Sequence, residues 1–244
     1  MRRLSLVLVA LALIACGDAA AADRGRDLYF ANCVWCHGDR LQGVEPLRPH
    51  AGPGGRAAAG PPLAGVGERA ADFYLRMGYM PILEPRQQPK RSHPHFGERD
   101  LRALVQFVGS HGGPGIPDVH PEQGDVAPGL QLFTERCAGC HQIAGEGGIV
   151  TGAWVPSLKH ANAVEIAEAV RTGPYVMPRF DEHDLSQREL DSLVRYVLYT
   201  QHPDDRGGWA LGNLGPLPEG MVAWLIAGLA LLAAARLIGE GLKR

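Results

Sequence analysis

Two short stretches decide the fold: Cys33-Val34-Trp35-Cys36-His37 and Cys137-Ala138-Gly139-Cys140-His141. Each is a C-x-x-C-H motif, the pattern of covalent haem c attachment. The spacing has a chemical reason. Two thiols one helical turn apart can each add to a vinyl group on one edge of a porphyrin. The histidine that follows then swings beneath the iron as an axial ligand. Rival chemistries use the cysteines but leave the histidines unexplained. A zinc site built from Cys33, Cys36, Cys137 and Cys140 needs no histidine after each pair. A thioredoxin-like motif needs a βαβ setting that is missing. Disulfides suit an oxidising compartment but also ignore His37 and His141. The motifs therefore predict two covalently bound haem c groups, with His37 and His141 as their proximal ligands.

Working outward, the two motifs lie in an internal repeat. Gly25, Leu28 and Tyr29 precede the first motif at the spacing with which Gly129, Leu132 and Phe133 precede the second. A Pro-x-Leu follows each, at Pro61-Pro62-Leu63 and Pro156-Ser157-Leu158, and then a Met-Pro, at Met80-Pro81 and Met177-Pro178. Each half closes on an amphipathic helix. Leu101, Leu104, Val105 and Val108 fall at i, i+3, i+4 and i+7, predicting a helix over 98–109. Arg188-Glu189-Leu190 to Tyr196-Val197 repeats it in register. That helix should cross the one around 26–32, with Gly25 permitting close approach, so that Leu28, Tyr29, Leu104 and Phe107 meet. Leu132, Phe133, Leu193 and Tyr196 should do the same in the second half. The expected organisation is a domain over 23–112, a Pro/Gly-rich linker over 113–128, a second domain over 129–203 and a connector over 204–219.

The sixth iron ligands follow by elimination. The chain has 5 methionines: Met1, Met77, Met80, Met177 and Met221. The first lies in a leader-like segment and the last in a C-terminal apolar run. Met177 is then the candidate in the second half. In the first, Met80 is preferred over Met77 because Pro81 repeats the Met-Pro pattern and stiffens the loop. His93 and His95 are the alternative, in a basic Pro-rich loop suited to solvent or docking. Thioether ligation raises a haem's reduction potential relative to a second histidine.

The ends place the chain at a membrane. Residues 1–22 carry Arg2 and Arg3 ahead of an apolar stretch, the pattern of an export signal. Leu13-Ile14-Ala15-Cys16 fits a lipobox that would lipidate Cys16. Ala20-Ala21-Ala22 fits plain cleavage, and retention as a membrane helix is a third possibility. Residues 220–238 are apolar all round and long enough to span a bilayer, with Arg236 snorkelling. Arg236, Lys243 and Arg244 put the short tail over 239–244 in the cytoplasm and the haem domains on the extracytoplasmic side. Lys+Arg 24 against Asp+Glu 26 gives a net charge of −2, which excludes a nucleic-acid-binding stripe. No acid, base or nucleophile motif suggests a catalytic site. The fold class is mainly α: two tandem class I cytochrome c domains and a C-terminal transmembrane helix.

These residues resemble a known family, the dihaem cytochrome c subunit of the actinobacterial-type cytochrome bcc complex, a quinol–cytochrome c reductase. The resemblance rests on both C-x-x-C-H motifs, Leu41-Gln42-Gly43, Gly60-Pro61-Pro62-Leu63, Thr172-Gly173-Pro174 and both Met-Pro pairs. The tail pattern Gly207-Gly208, Leu211-Gly212, Gly215-Pro216 and Glu219-Gly220 is its most diagnostic part. Two features depart from the family. Met77-Gly78-Tyr79-Met80 stands where it usually has Thr-Gly-Arg-Met, and Arg48–Ala59 is a Gly/Ala/Pro-rich insertion. The resemblance implies partners: a cytochrome b subunit, a Rieske iron–sulfur subunit that delivers electrons, and a haem-copper terminal oxidase that receives them. The alternatives are a dihaem peroxidase or thiosulfate dehydrogenase-like enzyme, a stand-alone anchored carrier, and a membrane-anchored sensor.

Overall fold

Helix α1, described over 23–32, stops where Cys33 turns the chain into the single turn of α2 (Val34–His37). Helices α3 (Gly67–Arg76) and α4 (Glu98–Gly109) complete the first domain. The computed structural model describes residues 23–45, 60–82, 88, 90–150, 152–204 and 216–241. The leader with Cys16, the insertion Arg48–Ala59, Arg86, most of the 204–219 connector and the terminal basic pair lie outside the described residues. The second domain repeats the order with α5 (Val126–Arg136), α6 (Ala138–His141), α7 (Ala163–Thr172) and α8 (Gln187–Gln201). A small antiparallel hairpin, β1 (Gly148–Val150) with β2 (Ala153–Val155), interrupts it, Gly148 pairing with Val155.

The expected crossings form at glycine. A Cβ on Gly25 would lie 2.1 Å from the Ala103 carbonyl oxygen, and one on Gly129 would lie 2.0 Å from that of Ser192. Only a bare backbone lets α1 touch α4, and α5 touch α8, this closely. Tyr29 and Leu104 are fully buried at the first crossing, with Leu28 and Phe107 packed against them. Phe133, Leu193 and Tyr196 fill the second with Leu132 alongside.

The Pro/Gly-rich segment before α5 is fastened down. A 3-10 turn over Pro121–Gln123 lies against α8. The His120 amide donates to Asp191 at 2.8 Å, Gln187 reaches the Asp118 carbonyl at 2.9 Å, and Arg195 reaches that of Pro121 at 3.2 Å. Helix α5 begins at Val126, ahead of the expected boundary, because Asp125 is its N-cap and Pro128 fits the first turn.

The two domains pack through α3 and α7. Phe73, Met77 and Tyr79 of the first meet Ala169 of the second. Arg91 pairs with Glu165 of α7 at 3.1 Å. Gln88 bonds the backbone of Trp154, its side-chain oxygen accepting from the Trp154 amide at 3.0 Å. Asp72, Glu168 and Arg171 are buried. Both carboxyl oxygens of Glu168 are sealed from solvent. Burial, and next the charge of Asp72, pushes this carboxyl up to about 9, so it is neutral at physiological pH.

Helix α9 (Pro216–Gly241) stands apart from both cores. Within it Gly220–Glu240 spans 21 residues at mean hydropathy 2.2 with none of its most apolar stretch buried, long and apolar enough to cross a membrane. Arg236 is paired with Glu240 at 3.2 Å, one turn on.

Candidate haem centres

The single turns α2 and α6 present their motifs identically. In each the histidine amide donates to the carbonyl of the first cysteine, at 2.9 Å for both Cys33 and Cys137. None of the four motif cysteines is in a disulfide.

The histidines are aimed by backbone. His37 Nδ1 donates to the Pro61 carbonyl at 2.8 Å, and His141 Nδ1 to that of Pro156 at 3.3 Å. A carbonyl oxygen only accepts, so the ring proton sits on Nδ1 and the Nε2 lone pair is left for a metal. Burial lowers both histidine pKa values, favouring the neutral form that ligates. The prolines belong to the two Pro-x-Leu repeats. The repeat was visible in the sequence, but its role is a main-chain one that residue type does not announce.

The loop that returns each proline is held by the same bonds. Gly43 donates to the His37 carbonyl at 2.9 Å and Gly147 to that of His141 at 3.0 Å. Leu63 donates to Leu41, and Leu158 to Gly145, both at 2.8 Å. The bridge Val44–Gly60 stands where the second domain has Gly148–Val155. The same bridge position thus frames the haem motif in both domains. A Cβ on Gly60 would lie 2.5 Å from the Cys36 carbonyl and 3.1 Å from the His37 ring, so this glycine lets the strand press on the ligand.

The residues present fit haem c. A cleft beside Cys137 is lined by Leu132, Phe180, Leu185 and Leu193, an apolar wall of the kind that a porphyrin face needs, with Arg136 at its rim. Thiols, free Nε2 atoms and apolar walls are the donor set that the group uses. Met177 is half-buried against the second core. In the first domain Met77 is buried among Phe73 and Tyr79 as packing, whereas Met80 is half-buried on the loop beyond. His93 and His95 are both exposed.

Comparison with known proteins agrees with this geometry. Residues 22–112 match the family model for cytochrome c, and residues 124–197 match that for cytochrome c oxidase, cbb3-type, subunit III. The chain is 36% identical over 243 residues to the cytochrome bc1 complex cytochrome c subunit of Corynebacterium diphtheriae, covering 91% of this chain and 82% of that one. The subunit of the same name from Corynebacterium efficiens is 35% identical, covering 91% and 78%. That from Mycobacterium bovis is 34% identical, covering 91% and 79%. The chain belongs to the family of cytochrome bc1 complex cytochrome c subunits. As a member of it, the protein is an electron-transfer cytochrome whose cytochrome c domains bind haem c covalently. Its C-terminal apolar helix is suited to anchoring in a membrane.

Proposed function

We propose that this subunit carries two haem c groups and passes electrons, one at a time, from the Rieske iron–sulfur subunit of a quinol-oxidising complex to a haem-copper terminal oxidase. It would sit beside cytochrome b, anchored by α9, with both haem domains on the extracytoplasmic side and the C-terminus in the cytoplasm. Cys33 and Cys36 would hold one haem and Cys137 and Cys140 the other. His37 with Met80, and His141 with Met177, would be the axial pairs. Bound haem c supplies reversible one-electron exchange at its iron. The chain's own residues do the rest: Pro61 and Pro156 fix the histidine tautomers, the apolar walls exclude water, and the Met-Pro loops close the sixth positions.

The observation that carries this reading is the duplicated Nδ1–carbonyl geometry within a chain of the bc1 family that ends in a membrane-length helix. A peroxidase or thiosulfate dehydrogenase-like enzyme needs an open or unusually ligated iron, and a methionine candidate in each domain argues against both. Arg91, in the basic loop that carries His93 and His95, is paired with Glu165 and ties that loop to the second domain. The fastened linker strengthens the direct route. Two domains held side by side present the second haem at high effective concentration without a diffusing shuttle.

The test is quinol-driven oxygen consumption by the detergent-solubilised assembly with no soluble cytochrome c. Sustained turnover is expected. Turnover that appears only when a soluble cytochrome c is added would make the subunit a docking station. Reaction of the reduced protein with carbon monoxide would favour the enzyme alternative.

A further inference from the structure

The loops that carry the two methionines meet across the domain boundary through tyrosines. Tyr79 immediately precedes Met80, and Tyr175 lies two residues before Met177. Their ring centroids are 6.1 Å apart at 76°, an edge-to-face contact. Tyr74 of α3 completes a triangle, 6.2 Å from each at 65° and 63°. Phe73 backs Tyr74 at 5.5 Å and Tyr79 at 5.9 Å.

This contact is built. Tyr175 holds a left-handed backbone, φ 57, which a bulky residue adopts only when its surroundings impose it. The turn is set by the Met177 amide donating to Pro174 at 3.0 Å. On the other side Gly78 has φ 63, and a Cβ there would collide with Ser92 and His93. Ser92 pins the loop, its amide donating to the Met77 carbonyl at 3.0 Å and its hydroxyl to that of Gly78 at 2.9 Å. The Tyr79 amide donates to Tyr74 at 3.0 Å.

We propose that Tyr79 and Tyr175, joined by Tyr74, form the bridge through which an electron passes between the two haem domains. The inference rests on Met80 and Met177 as ligands. One electron leaves one domain and enters the other. The rings lend a packed edge-to-face tunnelling path in place of open solvent, are neither oxidised nor reduced, and exchange no proton. Burial raises the phenol pKa of all three, so each ring keeps its proton and adds no charge to the path. These are positioning and coupling residues rather than ligands.

Tyr175 is 42% exposed, so replacing it puts little core at risk, whereas Tyr79 is 8% exposed. The full chain in its detergent-solubilised complex would be studied as Tyr175→Leu, Tyr175→Phe, Tyr79→Leu and the double Leu variant. Electron equilibration between domains after flash photoreduction should slow about tenfold in Tyr175→Leu, near the upper range for truncation along a packed coupling path. Tyr175→Phe should retain the rate, and both midpoint potentials should be unchanged. Thermal unfolding of the single and double Leu variants should give non-additive Tm shifts, since the rings touch. An unchanged equilibration rate in Tyr175→Leu, or strictly additive Tm shifts, would overturn the bridge. Absence of the methionine-to-iron charge-transfer band from the unsubstituted protein would overturn the ligand assignment instead, whatever the rates.

Discussion

The two haem domains reach the same frame by different local means, and the differences separate what the chemistry demands from what it tolerates. Both need left-handed backbone at the residue after the histidine and again three residues later. The first domain uses Gly38 and Leu41, with φ 78 and 56; the second uses Gln142 and Gly145, with φ 61 and 71. Each spends one glycine, at opposite positions. Where the loop must then turn back to the histidine carbonyl, both use glycine, Gly43 and Gly147. Helix ends differ more. In the second domain α7 and α8 start with full capping boxes, Asn162 with Glu165 and Ser186 with Glu189. In the first, the N-caps of α3 and α4 are Val66 and Gly97, and neither supplies a side-chain cap. The first domain is the less securely tied of the two, and it also carries the long insertion.

The largest test of the parallel is haem content. Cys33→Ala and Cys137→Ala should each remove about half of the covalent haem, leaving the other domain loaded, as read by haem staining and quantitative haem spectra. Loss of both groups from either variant would mean that the domains do not load independently. Gly25→Ala and Gly129→Ala should be equally damaging, at about 3 kcal/mol each by overpacking, because both glycines meet backbone. A domain-resolved melt in which one is tolerated would break the equivalence of the crossings.

Glu168 probes the seam between the halves. Its carboxyl sits at about 9 when folded and returns to the ordinary carboxylate range when unfolded. Between those values the folded state holds a proton that the unfolded state has released. Stability is therefore greatest at acid pH and falls as pH rises towards 9. Glu168→Gln should flatten that slope and raise Tm by about 3 °C near pH 8. An unchanged pH profile would show that the acid is not sealed in the seam. Smaller effects sharpen the contrast in capping. Ser186→Ala should cost the second domain about 1 kcal/mol. Gly97→Ser should strengthen the first by only about 0.3 kcal/mol, since glycine is itself a tolerable cap and a Cβ there meets nothing.

Much of this was legible in the residues. The helix expected over 98–109 is α4, and the glycine crossings fall where a period of 3.6 with a bare backbone position requires them. Haem chemistry was legible because it constrains residue type at fixed spacing. The seam was not. Asp72, Glu165, Glu168 and Arg171 are charged side chains on amphipathic helices, which a pattern reading assigns to solvent. The burial of Asp72, Glu165 and Glu168 arises at a contact between domains that no local period encodes, and Arg171 is held by the carbonyls of Phe180, Asp181 and Leu185 in its own domain. The prolines that steer His37 and His141 act through carbonyls, which every residue carries. The Pro/Gly-rich stretch looked like a tether, and only the tertiary bonds of Asp191, Gln187 and Arg195 show it fastened.

Gly25 on Ala103 and Gly129 on Ser192 also set a timetable. In each domain the attachment cysteines lie at the end of the first helix, and the helix that closes the domain is made last. Until it emerges, the first helix has nothing to cross, and closing so long a loop is opposed by chain entropy. The thiols and histidine are thus produced on an open chain and enclosed later. In chain order each motif precedes the helix that encloses it by most of a domain.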